Sequence, residues 1–228
     1  MSIALSWSRL SDYMQCPLKF NLKYILKAFP PETEKSVHLI KGENLHQQME
    51  HYVLARNGFI PMPPSFSPEA QQTIPLVDKF YTMFPNVEPE AQIACKLDWT
   101  PDEWFGKEVA WRAIWDVVCF NDNQVFVGDY KTGKIYPYAN SYGQLHLSAV
   151  IALNRFPNVQ KVDVSYIYME YKQCQNFTVS RDELPKIQMY FDDKWKQVNS
   201  ETKWEPRVNE FCRWCPANRS QCPKSRKM

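Results

Sequence analysis

Apolar positions along the chain recur first at helical and later at strand spacing. Over residues 6–25, Leu10, Tyr13, Met14 and Leu18 fall near a 3.6-residue period behind the capping serines Ser6 and Ser8, and the run breaks at Pro17. Over residues 42–57, Leu45, Met49, Tyr52 and Val53 share one face, which predicts a second helix stopped at Gly58. The proline-rich stretch 59–68 reads as a loop, and Ser67, Pro68 and Glu69 as the cap and first turn of a helix running towards Phe84. Strand-like runs follow at 91–99, 108–120 and 124–130. Residues 140–154 return to helix, 162–171 and 177–180 to strand, and a last helix is predicted from about 182 to 198.

The order helix, strands, helix, strands predicts an α/β (α+β) fold with a central mixed β-sheet flanked by helices. With 228 residues and 44% hydrophobic positions the chain can bury a substantial core, so one domain over 1–228 is expected. Within it, 1–88 forms a helical N-terminal part, 89–200 the core, and 201–228 a polar, cysteine-rich segment. No apolar run approaches the roughly eighteen residues of a membrane span, and residues 1–10 lack the pattern of a signal peptide. The expectation is a cytoplasmic location and no membrane partner.

The chemistry concentrates in a predicted hairpin. Asp122 and Asn123 tolerate the positive φ angles of a two-residue turn, which pairs Asn121 with Gln124. Counting back along both strands sets Asp116 directly opposite Asp129, with Cβ atoms roughly 4.5–5.5 Å apart. Two carboxylates that close repel unless one is protonated or a cation lies between them. Lys131, two residues past Asp129, shares its face. A divalent cation beside a lysine suits phosphodiester cleavage, the cation polarising the phosphate and the lysine placing water or meeting developing charge. A one-residue slip would send Asp116 to the other face, so the register is a sharp test. The nearby Gly128-x4-Gly133-Lys134 imitates a phosphate-binding loop, but Ile135 stands where Ser or Thr should hold magnesium, and no nucleotide hydrolysis is expected.

Cysteine usage adds a second centre. Of seven cysteines, Cys212, Cys215 and Cys222 form Cys-x2-Cys-x6-Cys near the end and Cys16 precedes Pro17 near the start. Four such thiolates suit tetrahedral zinc or an iron–sulfur cluster, and spacing does not separate the two. Cys95, Cys119 and Cys174 lack ligand spacing and read as small buried hydrophobes.

Taken together, residues 6–20 (SWSRLSDYMQCPLKF), Gly42-x3-His46, Asp116, Asp129-Tyr130-Lys131-Thr132-Gly133, Gln144 and the terminal cysteines resemble the PD-(D/E)xK nucleases. The resemblance is to the RecB-like branch that contains the CRISPR-associated exonucleases. It implies a restriction-endonuclease-like core in which His46, Asp116 and Asp129 hold Mg2+ or Mn2+. Lys131 would be the catalytic lysine, and Gln144 would orient substrate or lysine. An acid just before the first core strand often joins such sites; Glu90 is the best candidate, with Glu103 or Glu108 as replacements. The same resemblance implies a 4Fe-4S cluster on Cys16, Cys212, Cys215 and Cys222, joining the two ends of the chain.

Two positions depart from the family pattern: Ala113 stands where glycine is frequent, three residues before the first metal aspartate, and Ser148 where a tyrosine usually follows the glutamine. Neither is a metal ligand. The implied substrate is single-stranded DNA or DNA ends, cut exonucleolytically, with endonuclease or nickase activity and a largely non-cleaving binding module as alternatives. Recombination or CRISPR-adaptation proteins and a second copy of the chain are the implied partners. A net charge of +2 gives no general affinity for a polyanion, so contact must come from local groups. Candidates are Lys23, Lys27, Lys35 and Lys41 near the front and Arg213, Arg219, Lys224, Arg226 and Lys227 at the back, with Tyr13, Trp204 and Trp214 available to stack on bases.

Overall fold

The computed structural model describes residues 2–29, 36–135 and 143–225. Ser6 caps helix α1 (Trp7–Gln15) by accepting the Arg9 N–H, and Cys16, in extended conformation, both ends α1 and caps the short α2 (Pro17–Phe20). One π-helical turn, Asn21–Ile25, completes this unit. Helix α3 (Val37–Arg56) starts at the Ser36 cap, a turn and a half before the apolar pattern does. Its first turns are exposed and therefore carry no periodic apolar signal. Gly58, at φ +79°, follows its end as the left-handed residue that only glycine adopts without cost. Ser67 caps α4 (Pro68–Met83) as the sequence predicts.

Six strands form one sheet in the order β2-β1-β3-β4-β5-β6, where β1 is Asn86–Cys95, β2 Pro101–Asp102, β3 Trp111–Phe120, β4 Val125–Lys131, β5 Lys161–Tyr168 and β6 Gln173–Ser180. All neighbours are antiparallel except β4 and β5, which run parallel across the helix α5 (Gln144–Arg155). Residues 140–142 of the predicted helix lie outside the described residues. Helix α6 (Leu184–Ser200) follows β6, and a 3₁₀ turn, Glu210–Trp214, lies in the C-terminal segment.

β1 begins five residues earlier than its pattern predicts, so the core reaches into the part expected to be helical. Pro89 hid that start, since proline cannot donate to a central ladder. The position is permissible because β2 pairs only with Ala94 and Cys95 and leaves this stretch of β1 an open edge. β2, two residues long, offers no periodicity to detect.

One core packs between the sheet and α1, α5 and α6; the other lies under α3 and α4. In β3, Trp111 and Trp115 join the first cluster whereas Val117 and Cys119 join the second, although strict alternation would keep all four on one face. The pleat therefore changes phase at Asp116. β1 does likewise at Glu90, between Val87 in the second cluster and Ile93 in the first, and Glu90 has φ +47°. Positive φ is uncommon for a residue with a side chain and collects at functional positions.

Candidate active site

The β3–β4 ladder pairs Phe120 with Val125 and Val117 with Gly128, which is the register the two-residue turn predicts. The ladder ends there, and continuing its register by one step would set Asp116 across from Asp129. On its other side β3 pairs Val117 with Pro89 and Trp115 with Ala91, so Glu90 stands across from Asp116. Three acids thus occupy one row across β1, β3 and β4, where both strand pairs are interrupted. At the interruption the Asp116 carboxylate accepts the backbone N–H of Tyr130 at 2.6 Å, in place of a ladder bond.

Helix α3 approaches this row closely. A Cβ on Gly42 would stand 3.2 Å from Thr132 Oγ1, so a side chain there would push α3 away from the end of β4. One turn on, His46 Nδ1 lies 3.3 Å from Asp116 Oδ1, and the imidazole meets the Tyr130 ring edge-on. Ligand atoms of His46, Glu90 and Asp116 all fall within 4.8 Å of one another. They line an open cleft of about 850 Å³ together with Glu50, Ile114, Lys131 and Thr132.

Asp129 stands outside that group of three because the other face of the sheet engages it. Gln144, at the start of α5, donates its amide to Asp129 Oδ1 and accepts from Lys131 Nζ at 3.2 Å. Lys131 Nζ lies 2.5 Å from Asp129 Oδ2, so that buried oxygen is held by a close ion pair. The same ammonium sits 4.9 Å above the Tyr166 ring, contributed by the parallel neighbour β5. Continuing the ladder's register sets the two aspartates opposite one another, but the common face expected from strand alternation is not kept, since Asp116 engages His46 on α3 and Asp129 engages Gln144 on α5.

Electrostatics registers the crowding. Burial pushes the Glu90 carboxyl up to about 7, the Asp116 charge adding to the effect and His46 opposing it. Burial also raises Asp129, against the pull of Lys131 and with the push of Asp116. Burial alone would lower His46, but its bond to Asp116 and the nearby acids outweigh this and raise it. Two buried carboxyls whose ionisation is disfavoured by burial and by a neighbouring acid mark a site short of positive charge.

The replacements considered for Glu90 lie elsewhere: Glu103 is exposed beyond β2, and Glu108 pairs with Lys96 at 2.7 Å. Among the predicted basic contacts, Lys23 binds Asp12 at 2.8 Å, and Lys41 binds Glu170 and Glu69 at 2.7 and 2.9 Å, so these charges are already partnered. Lys35, Arg226 and Lys227 lie outside the described residues. Tyr13 and Trp204 pack with Phe20 in the core rather than facing bases, while Trp214 is exposed with Arg213 over its ring. Tyr166 escaped sequence reasoning, since its contact with Lys131 depends on a parallel pairing that local patterns do not encode.

Cys16, Cys212, Cys215 and Cys222 are free thiols lining one cavity between α2 and the C-terminal segment. Backbone N–H groups of Lys19 and Arg207 point at Cys16 Sγ at 3.5 and 3.4 Å, and that of Asn209 at Cys212 Sγ at 3.4 Å. No described helix is long and apolar enough to cross a membrane.

A family model described as the PD-(D/E)XK nuclease superfamily matches residues 4–223. No curated protein matches the chain. A solved structure titled "Crystal structure of SSO0001" aligns over 95% of this chain and 84% of its own at 16% identity, with a TM-score of 0.48. With a family model spanning nearly its whole length and a six-stranded mixed sheet flanked by helices, the chain belongs to the PD-(D/E)XK nuclease superfamily.

Proposed function

We propose that the chain is a DNA exonuclease of the RecB-like branch, hydrolysing phosphodiester bonds of single strands or DNA ends with Mg2+ or Mn2+. The observation that carries this is the group His46, Glu90 and Asp116 in an open cleft that Lys131 also lines, with Asp129 paired to Lys131 beside it. The donor set of carboxylates and one imidazole fits a hard or borderline divalent ion. His46, Asp116 and Glu90 would hold it, with Asp129, whose Oδ2 is paired with Lys131, completing the set. Such an ion supplies the positive charge that the row lacks and that a phosphate under attack requires.

The chain's own groups do the positioning. Asp116 is fixed by the Tyr130 N–H and in turn orients His46. Gln144 bridges Asp129 and Lys131, holding the Lys131 ammonium at the acid row, where it can place a water or meet charge developing on phosphate oxygen.

A structural 4Fe-4S cluster on Cys16, Cys212, Cys215 and Cys222 belongs to the same proposal. The four cysteines line one cavity between the two ends of the chain, four thiolates suit either an iron–sulfur cluster or zinc, and the resemblance to the RecB-like nucleases favours the cluster. When bound, the cluster supplies iron–thiolate bonds that join the ends of the chain. The backbone N–H groups at Cys16 and Cys212 suit thiolate sulfur.

The test is incubation of end-labelled linear and closed circular single-stranded DNA with the chain and Mn2+, beside Lys131→Ala. Loss of linear strands to mononucleotides or short products, with circles intact and the variant inert, is expected. Cut circles would replace exonuclease by endonuclease. Equal cleavage by the variant would remove the assignment of Lys131.

A further inference from the structure

Beside the acid row lies a second cleft, of about 390 Å³, that the proposed chemistry leaves unused. Ile114 lines both clefts and Gln144 lines the second, so the two are contiguous at the reaction centre. Ser6, Trp7 and Ser8 at the start of α1 form one wall and Gln144, Leu147 and Ser148 at the start of α5 another, so two helix N-termini, each the positive end of its dipole, meet there.

Arg112, in the cleft lining, supplies the second observation. Its guanidinium lies over Trp104 at 5.4 Å and Phe105 at 5.9 Å, and its buried Nε has no hydrogen-bond partner. Among the described residues it makes no ion pair, in contrast to Lys23 and Lys41. A guanidinium half-buried without a carboxylate is costly unless an anion arrives. Phe105, 85% exposed, and Trp104 hold it in place and offer aromatic faces beside it.

We propose that this cleft is a subsite for one nucleotide of a single strand, next to the scissile phosphate. Arg112 and the N-terminus of α1 take its phosphate, and Trp104 lies against its base. The subsite rests on the nucleic-acid substrate proposed above. Its volume suits one nucleotide-sized ligand and excludes a duplex, so the strand enters unpaired. A base unstacked in this way stacks on an aromatic ring without regard to sequence.

The test measures binding without turnover: fluorescence anisotropy of a labelled oligothymidylate with the full chain in metal-free buffer, across a salt series. Arg112→Gln should weaken binding about tenfold and flatten the slope of log affinity against log salt by roughly 0.7, the value of one lost contact to single-strand phosphate. Ser8→Glu places a carboxylate at an exposed first-turn position, which helix α1 tolerates, and should weaken binding similarly. The same oligothymidylate annealed to its complement should bind less well than the single strand. Unchanged affinity and slope in both variants, or equal affinity for the duplex, would overturn the subsite. Failure of the chain to cut DNA would leave these measurements intact, so the subsite and the nuclease proposal fail separately.

Discussion

Asp116 accepts the Tyr130 backbone N–H at the place where β3 and β4 cease to pair, so one carboxylate serves both the sheet and the reaction centre. Asparagine can accept the same bond but carries no charge. Asp116→Asn should therefore keep the fold and the metal-free melting temperature, while Mn2+ affinity by calorimetry falls more than about tenfold. Asp116→Ala additionally leaves the Tyr130 N–H unpaired and should cost about 1–3 kcal/mol of stability. Equal stability of the two variants would show that the bond contributes nothing.

On the proposed function Gln144 acts as a positioning residue, since its amide bonds Asp129 and its carbonyl accepts from Lys131. Gln144→Met preserves volume and helix propensity but removes both bonds. The expected outcome is a kcat lower by about 10–100-fold with KM for DNA changed far less. Gln144→Glu keeps the acceptor for Lys131 but sets an acid against Asp129, and its activity should peak at lower pH than the parent's. Matching pH profiles of the two would argue against contact with Asp129.

Much of this site was legible because it is local. Asp122-Asn123 dictates a two-residue turn, and that turn alone fixes the register of Asp116 against Asp129. Ser67 and Pro68 marked α4 to within a residue. Long-range features were not legible. Glu90 reads as an acid preceding the first core strand, but it lies inside β1 because an open sheet edge accommodates Pro89. The phase change at Glu90 and Asp116, which turns Asp116 towards α3 while Asp129 keeps the α5 face of Val125 and Val127, arises from packing on both sides of the sheet, and no period in the sequence encodes it. Lys41 looked free as a sequence position and is neutralised by Glu69 and Glu170, which only folding brings near.

Gly128 supports the row from beneath. A Cβ there would stand 2.7 Å from Val117 Cγ1 and 2.8 Å from Ile167 Cδ1, both in close-packed positions under α3 and α4. Gly128→Ala should destabilise the chain by about 1–3 kcal/mol in denaturant titration and, by shifting Asp129, lower activity further than the stability loss alone explains. An alanine variant as stable as the parent would mean that β3 and β5 can part without cost.

On the proposed cluster, the C-terminal segment should depend on its thiols. Residues 201–225 hold one 3₁₀ turn and bury Ala217 but little else, so apolar packing gives them scant stability of their own. Cys212→Ser should abolish visible absorbance from iron–sulfur and expose 201–225 to limited proteolysis, while the sheet core persists as a protected fragment. A colourless parent containing stoichiometric zinc, prepared without air, would replace the cluster by zinc. A variant as resistant to protease as the parent would remove the structural role.

The acid row also sets how stability depends on pH. Glu90 is raised to about 7 from a carboxylate's ordinary value near 4.5, so its contribution is fully present below about 4.5 and is lost as pH rises through 7. Asp129 is raised for related reasons and acts in the same direction. His46, held protonated by Asp116, contributes stability below its ordinary 6.5 that disappears as pH climbs past its raised value. All three signs agree, so the melting temperature of the metal-free chain should fall between about pH 5 and about pH 8. Metal binding requires the same groups to be deprotonated, so the increment produced by Mg2+ or Mn2+ should grow over that interval and be smallest in acid. Glu90→Gln removes one of the two raised carboxyls of the row, and should raise the metal-free melting temperature at the alkaline end while shrinking the metal increment. Thermal scans with chelator and with Mg2+ at both ends of the range, on parent and variant, measure each quantity. A metal increment that shrinks with rising pH would mean that these carboxylates do not face the ion.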